Sequence, residues 1–272
     1  MSTYDEILAS RPDMTEWLIH FTRDNNGKLA REILLKILIE GVLRPGFSVR
    51  GNQRTVYGTM RAVCFTEQPL LSFAKYVDAR KESWLTDGYG IVLHKHDVHL
   101  AGGRPVIYGL ENELPEVDDY TKAIRGLPNK CRLLPIQCLP ENEQYRYVRF
   151  IPKRIKSIDW SHEREWRWPE KAKHAEGNEV YLLGGRYGQF LARMHVIVKY
   201  ENDIIWLQQE LAKALKQNLV GNLSLQNLPK PYLPEWEKVL YRSKIISLED
   251  VKNNNILRFD DIEEINMNSL LI

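Results

Sequence analysis

The sequence predicts an α+β fold, and three observations lead there. Apolar stretches such as 60–66 and 89–94 have the length and β-branched content of strands. Segments 27–40 and 203–217 repeat their apolar residues at helical spacing. The connections between them vary too much in length for a regular βαβ alternation.

The elements follow in order. Residues 16–22, Glu-Trp-Leu-Ile-His-Phe-Thr, read as a short strand ending in polar residues. A helix is expected over 27–40, where Leu29, Ile33, Leu34, Ile37 and Leu38 form one face and Gly41 supplies the stop. Residues 44–58 are rich in Arg and Gly and read as a loop. Residues 60–66 form a second strand, and Pro69 opens a helix over 69–80. Strands are expected at 89–94 and 104–108, the latter after a Gly102-Gly103 turn. The proline-containing stretch 110–145 carries no clear period. Strands are expected next at 146–151, 163–168, 178–183 and 194–200. Asn202 or Asp203 would cap a helix over 203–217, striped by Ile204, Leu207, Leu211 and Leu215. Beyond Gly221 the chain turns polar and proline-rich. Residues 1–220 are therefore expected to form the main domain and 221–272 a peripheral appendage.

A chain of 272 residues can bury a sizeable core. Its 43% hydrophobic and 27% charged content is that of a globular protein, which excludes a disordered one. A formal charge of +2 gives no bulk attraction to nucleic acid or membrane. Charge is uneven, however. Nine lysines and arginines fall between 146 and 173, while the tail carries Asp260, Asp261, Glu263 and Glu264. Three sparse cysteines, Cys64, Cys131 and Cys138, have no metal or redox spacing and suit a reducing compartment. The acidic start lacks a signal-type apolar core and no run reaches membrane-spanning length, so a cytoplasmic location is expected.

The stretch His162-Glu163-Arg164-Glu165-Trp166-Arg167-Trp168 is the strongest candidate site. In a strand, Glu163 and Glu165 would share one face and Arg164 and Trp166 the other. Two carboxylates on one face repel unless they are solvated, paired or put to use. Pairing with Arg164, Arg167 or Lys171 is the plainer explanation. His94 and His96 would share a strand face near His99, but no cysteine joins them and no metal site is expected. Trp160, Trp166 and Trp168 suit sheet packing better than base stacking.

Taken in order, four further segments accompany that stretch: His20-Phe21-Thr22, Cys64-Phe65-Thr66-Glu67, Tyr89-Gly90-Ile91 and Arg104-Pro105-Val106-Ile107-Tyr108. The order resembles the AbiGi family of abortive phage resistance and related bacterial domains with a Glu-x-Glu-Trp-Arg signature. The resemblance spans roughly residues 17–200. That family in turn looks like the ADP-ribosyltransferase fold, which implies a split mixed or antiparallel sheet flanked by helices. It also implies NAD as substrate, a protein or nucleic-acid acceptor, and a cognate toxin or antitoxin. On this implication His20 binds the nicotinamide ribose, with Thr22 beside it. Phe65 and Thr66 line the nicotinamide pocket; on chemical grounds alone, the ring of Phe65 or of Tyr89 would stack on nicotinamide. Glu165 is catalytic, and Glu163 positions or deprotonates the acceptor. The chain departs from the commonest pattern in having Phe65 where relatives carry Tyr or Ser, and in its long interval from Thr66 to Glu163.

Breaking the nicotinamide–ribose bond creates an oxocarbenium-like centre, which a carboxylate stabilises. Arg23, Arg61 or Arg164 would pair with pyrophosphate oxygens. No GxGxxG motif follows the first strand, so a Rossmann site is not expected. Two other classes fit the sequence: a non-catalytic antitoxin or sensor of the same fold, and an RNA-directed nuclease or phosphotransferase using the basic stretch.

Overall fold

A computed structural model of the chain describes residues 6–7, 10–50, 53–80, 86–109, 116–128, 130–151, 159–170, 175–176, 179–182, 193–217, 219, 240, 242–259 and 262. Lys153, Arg154, Lys156, Lys171 and Lys173 of the basic stretch lie outside these residues. So do the tail carboxylates, both ends of the strand expected at 178–183, and segment 220–239.

Among the described residues the main sheet has seven strands. In chain order they are β1 (Trp17–Phe21), β2 (Ala62–Thr66), β3 (Gly90–His94), β4 (Arg104–Pro105), β5 (Glu165–Pro169), β6 (Met194–Val198) and β7 (Ile245–Ser247). Across the sheet they run β7-β6-β3-β1-β2-β5-β4. Every pairing is antiparallel except β6 with β7. The fold is thus a mixed sheet flanked by helices, as the α+β expectation requires.

The α-helices with full bounds among the described residues are α1 (Ala30–Glu40), α2 (Leu70–Ala79), α3 (Lys95–Leu100), α4 (Asp119–Ile124), α5 (Glu201–Lys216) and α6 (Leu248–Asn253). Their ends follow local chemistry. The Glu32 carboxylate accepts the Leu29 N–H at 3.1 Å, and α1 stops at Gly41, whose φ of 67° suits glycine. Asp203 does not cap α5 from outside. It sits in the first turn and its carboxylate accepts the Tyr200 N–H, so the helix begins at Glu201. Ser247 caps α6 through the N–H groups of Glu249 and Asp250.

Alternation along the strands divides the core into two layers. Leu18, Val63, Phe65, Ile91, Leu93, Trp166, Trp168 and Val196 face α1 and α5. Trp17, Ile19, Val92, Ile197 and Ile246 face α2 and α6. The segment set apart as an appendage supplies β7 and α6, so residues 245–253 belong to the body of the fold. The reason is apolar burial. Ile245 and Ile246 are 1% and 2% exposed because they pack on opposite faces of the sheet. The strand expected over 104–108 breaks at Val106, whose N–H donates to the Glu165 carbonyl. Its first half edges the main sheet, and Ile107–Tyr108 pairs in parallel with Tyr147–Val148.

Candidate functional site: a cleft where two central strands part

Strands β1 and β2 register as Cα partners only at Ile19 and Thr66. The other end of β2 turns elsewhere: Ala62 exchanges backbone hydrogen bonds with Gly46. Between these points the Cys64 carbonyl meets no strand. It lies 2.8 Å from His20 Nδ1. A carbonyl only accepts, so Nδ1 carries the proton and Nε2 keeps its lone pair. Burial pushes the His20 pKa down, and the nearby Arg23 charge adds to this against the Cys64 bond. His20 is therefore a neutral imidazole with one acceptor nitrogen left.

A cleft of about 580 Å³ opens at this fork. That volume falls within the range of small-molecule sites, roughly 300–1,000 Å³. From β1 and its continuation come His20, Phe21 and Arg23; from β2, all of Ala62 to Thr66; from β5 and the turn before it, Glu163, Glu165 and Arg167. Trp160, Arg149, Arg132, Tyr57 and Arg44 complete much of the wall. Register explains the placement. Thr66 pairs with Glu165 and Cys64 with Arg167, so these four side chains share the face away from α1.

The two glutamates reach the cleft differently from the strand expectation. β5 begins at Glu165, whereas Glu163 closes a short 3-10 turn over Ser161–Glu163. Arg164 between them is left-handed, at φ 44° and ψ 53°. This kink, rather than i, i+2 alternation, brings both carboxylates to one cavity. Tyr76 on α2 donates its hydroxyl to Glu163 at 3.0 Å. The Glu165 carboxylate receives Arg167 Nε at 2.8 Å and Nη2 at 3.2 Å. Its backbone N–H donates to the Tyr108 hydroxyl, whose pKa burial pushes up to about 12.

Arg167 is only 2% exposed. Its Nη1 donates to the carbonyls of Tyr145 and Tyr147 at 2.6 and 3.1 Å. Burial disfavours its charge, but Glu165 outweighs that and the pKa stands raised. Burial pushes the Cys64 thiol well up, with the Glu165 charge adding to it, so the thiol stays protonated and unreactive.

No family model, no curated protein and no solved structure matches this chain.

Of the residues singled out in the sequence, His20, Arg23, Phe65, Thr66, Glu163 and Glu165 meet at the cleft. Phe65 is also core, 5.6 Å from the His20 ring and 6.5 Å from that of Trp168. The Thr66 hydroxyl is committed to the Glu163 carbonyl at 2.6 Å, which fastens the glutamate turn to β2. Thr22 and Tyr89 do not line the cleft. The Thr22 hydroxyl is buried between the carbonyls of Ala30 and Tyr89. The Tyr89 hydroxyl donates to Asp203 at 2.8 Å, within the α1–α5 layer. Arg61, paired with Glu170, and Arg164, paired with Asp13, do not line the cleft, which removes both from the phosphate role. His94 ends β3, and His96 and His99 lie on α3.

Sequence reasoning gave no role to Arg44 and Arg132, which sit in stretches without a clear period, nor to Tyr76 and Tyr108, which lie in an expected helix and an expected strand. It treated Arg167 only as a surface partner of the glutamates. The signal was present: Arg167 lies two residues after Glu165, so a strand would place both on one face.

Proposed function

We propose that the cleft binds NAD and that the protein is an ADP-ribosyltransferase-like effector, with Glu165 stabilising the positive charge that develops on the ribose. The observation that carries this reading is convergence. His20, Phe65, Thr66, Glu163 and Glu165 come from segments up to 145 residues apart in number yet line one cavity (20 to 165).

The polarity of the cleft supports the same ligand. Glu163 and Glu165 lie at the Thr66 end of β2. Arg44, two residues before the Gly46 partner of Ala62, and Arg132, stacked over the Tyr57 ring, line the cleft towards the Ala62 end, where a phosphate would share them with Glu40 and Glu116. Four residue steps along the strand separate the ends by about 13 Å. NAD has a matching polarity, with a cationic pyridinium at one end and a pyrophosphate farther along. The neutral His20 Nε2 suits a ribose hydroxyl as donor. Arginines suit phosphate oxygens.

In the proposed reaction the bond between ribose C1′ and nicotinamide N1 breaks, and its electron pair leaves with nicotinamide. Positive charge builds on C1′ and the ring oxygen beside the Glu165 carboxylate. The acceptor lone pair then bonds C1′. Glu163, already oriented by the Tyr76 hydroxyl, takes the acceptor proton. Each oxygen of Glu165 keeps acceptor capacity beyond its Arg167 bond.

The role expected from the AbiGi resemblance, an effector of bacterial antiphage defence, belongs to this proposal. A second reading, a non-catalytic partner of the same fold, draws on the engagement of both Glu165 oxygens by Arg167. Incubation with NAD labelled in the nicotinamide ring separates them. Release of free nicotinamide that falls in Glu165→Gln supports the transferase. Saturable NAD binding with no release supports the second reading, and neither binding nor release defeats both.

A further inference from the structure

We propose that Arg167 is a positioning residue that fixes the Glu165 carboxylate for reaction, a claim that rests on the reading of Glu165 above. A glutamate side chain has three rotatable bonds, and at a cleft wall several of its rotamers are open to solvent. Here that freedom is removed by one neighbour. Arg167 grips both oxygens of Glu165 with Nε and Nη2, while Nη1 is bolted to the Tyr145 and Tyr147 carbonyls. Four of the five guanidinium N–H groups are thereby accounted for.

The guanidinium is a strut. One end is a backbone turn, the 3-10 segment Glu141–Arg146 and the residue after it; the other is the carboxylate. The turn itself is anchored from behind. Gln144 is fully buried, and its amide bonds the backbone of Leu134 and Leu139 at 2.7–3.1 Å. Glu165 therefore inherits the rigidity of a buried backbone through a single planar group. A lysine ammonium cannot do this, because it has no fork to match two carboxylate oxygens and two carbonyls together.

A merely structural arginine would serve the two carbonyls and leave turnover to the folded fraction. Arg167 instead lies against the cavity, with Glu165 as its only carboxylate partner among the described residues. Misplacement of a reacting group by about 1 Å can cost on the order of 10²-fold in rate.

The test is steady-state nicotinamide release from NAD by wild type, Arg167→Lys, Glu165→Gln and the double variant, with folding followed by circular dichroism. The expected result is a fall in kcat of roughly tenfold to hundredfold in Arg167→Lys per folded molecule, with KM for NAD little changed. In the Glu165→Gln background the same substitution should cause little further loss, since the group it positions is already disabled. An equal loss in both backgrounds, or an unchanged kcat, overturns the positioning role while leaving the transferase reading intact. Absence of release by wild type overturns both. Arg167→Gln is the second variant: if neither substitution yields folded protein, Arg167 is a keystone of the fold and the proposal is rejected.

Discussion

His20 illustrates how a single residue is set by what surrounds it. Its Nδ1 proton is fixed by the Cys64 carbonyl, and its ring stands where a strand neighbour would otherwise be. His20→Ala should leave that carbonyl without its partner, costing about 1–3 kcal/mol of stability. NAD affinity should fall at the same time, read by calorimetric titration beside a denaturant melt. A second histidine governs acid sensitivity. His195 is wedged between Trp17, at 4.6 Å, and Phe259, at 6.0 Å, and its Nδ1 accepts the Lys244 backbone N–H. Burial, aided by the Lys244 charge, pushes its pKa down to about 4. The sign follows from linkage: the unfolded chain takes up a proton below about pH 6.5 that the folded chain refuses. Stability from this group is complete above pH 6.5 and drains away towards pH 4, by about 3 kcal/mol in all. Unfolding free energies measured across that window should flatten in His195→Gln; an unchanged acid limb would contradict the assignment.

At the scale of elements, the fork depends on how closely β3 approaches β1. A Cβ built on Gly90 would lie 2.5 Å from the His20 carbonyl oxygen, a backbone atom that cannot swing aside. Gly90→Ala should therefore displace β1 at His20, destabilise the fold by roughly 1–3 kcal/mol and weaken NAD binding. The turn carrying Glu163 offers a contrasting case. Arg164 is held left-handed, and its guanidinium reaches the Asp13 carboxylate across an exposed surface. An exposed pair contributes little, whereas the left-handed conformation favours glycine by about 1 kcal/mol. Arg164→Gly should therefore melt at or above the wild-type temperature, while Arg164→Val should melt well below it.

Over the whole molecule, much of the fold was legible from periodicity. The strands around 17–21, 62–66, 90–94 and 194–198 and the helices α1, α2 and α5 have apolar residues that sit on a regular period, and burial enforces that period. The candidate site was legible in part, because His20 and Phe65 lie next to the last residue of such strands and Glu165 begins another. The cleft's basic wall was not. Arg44, Arg132 and Arg149 come from irregular segments whose positions depend on long-range contacts, such as the Gly58 N–H with the Arg132 carbonyl. The place of β7 was hidden for a related reason: three residues are too few to show a period. Because β7 and α6 cover Trp17, Ile19 and Ile197, removing residues after 240 should abolish a cooperative melt. Limited proteolysis of the shortened chain would show whether the remainder still folds. The central claim is that the β1–β2 fork is an NAD site with its carboxylate end at the pyridinium, and a crystal structure of Glu165→Gln soaked with NAD tests it most directly. The expected density fills the fork, with the nicotinamide ring between Phe65 and Glu163 and the phosphates towards Arg44 and Arg132. An empty fork at saturating NAD, or NAD bound elsewhere on the molecule, would contradict it.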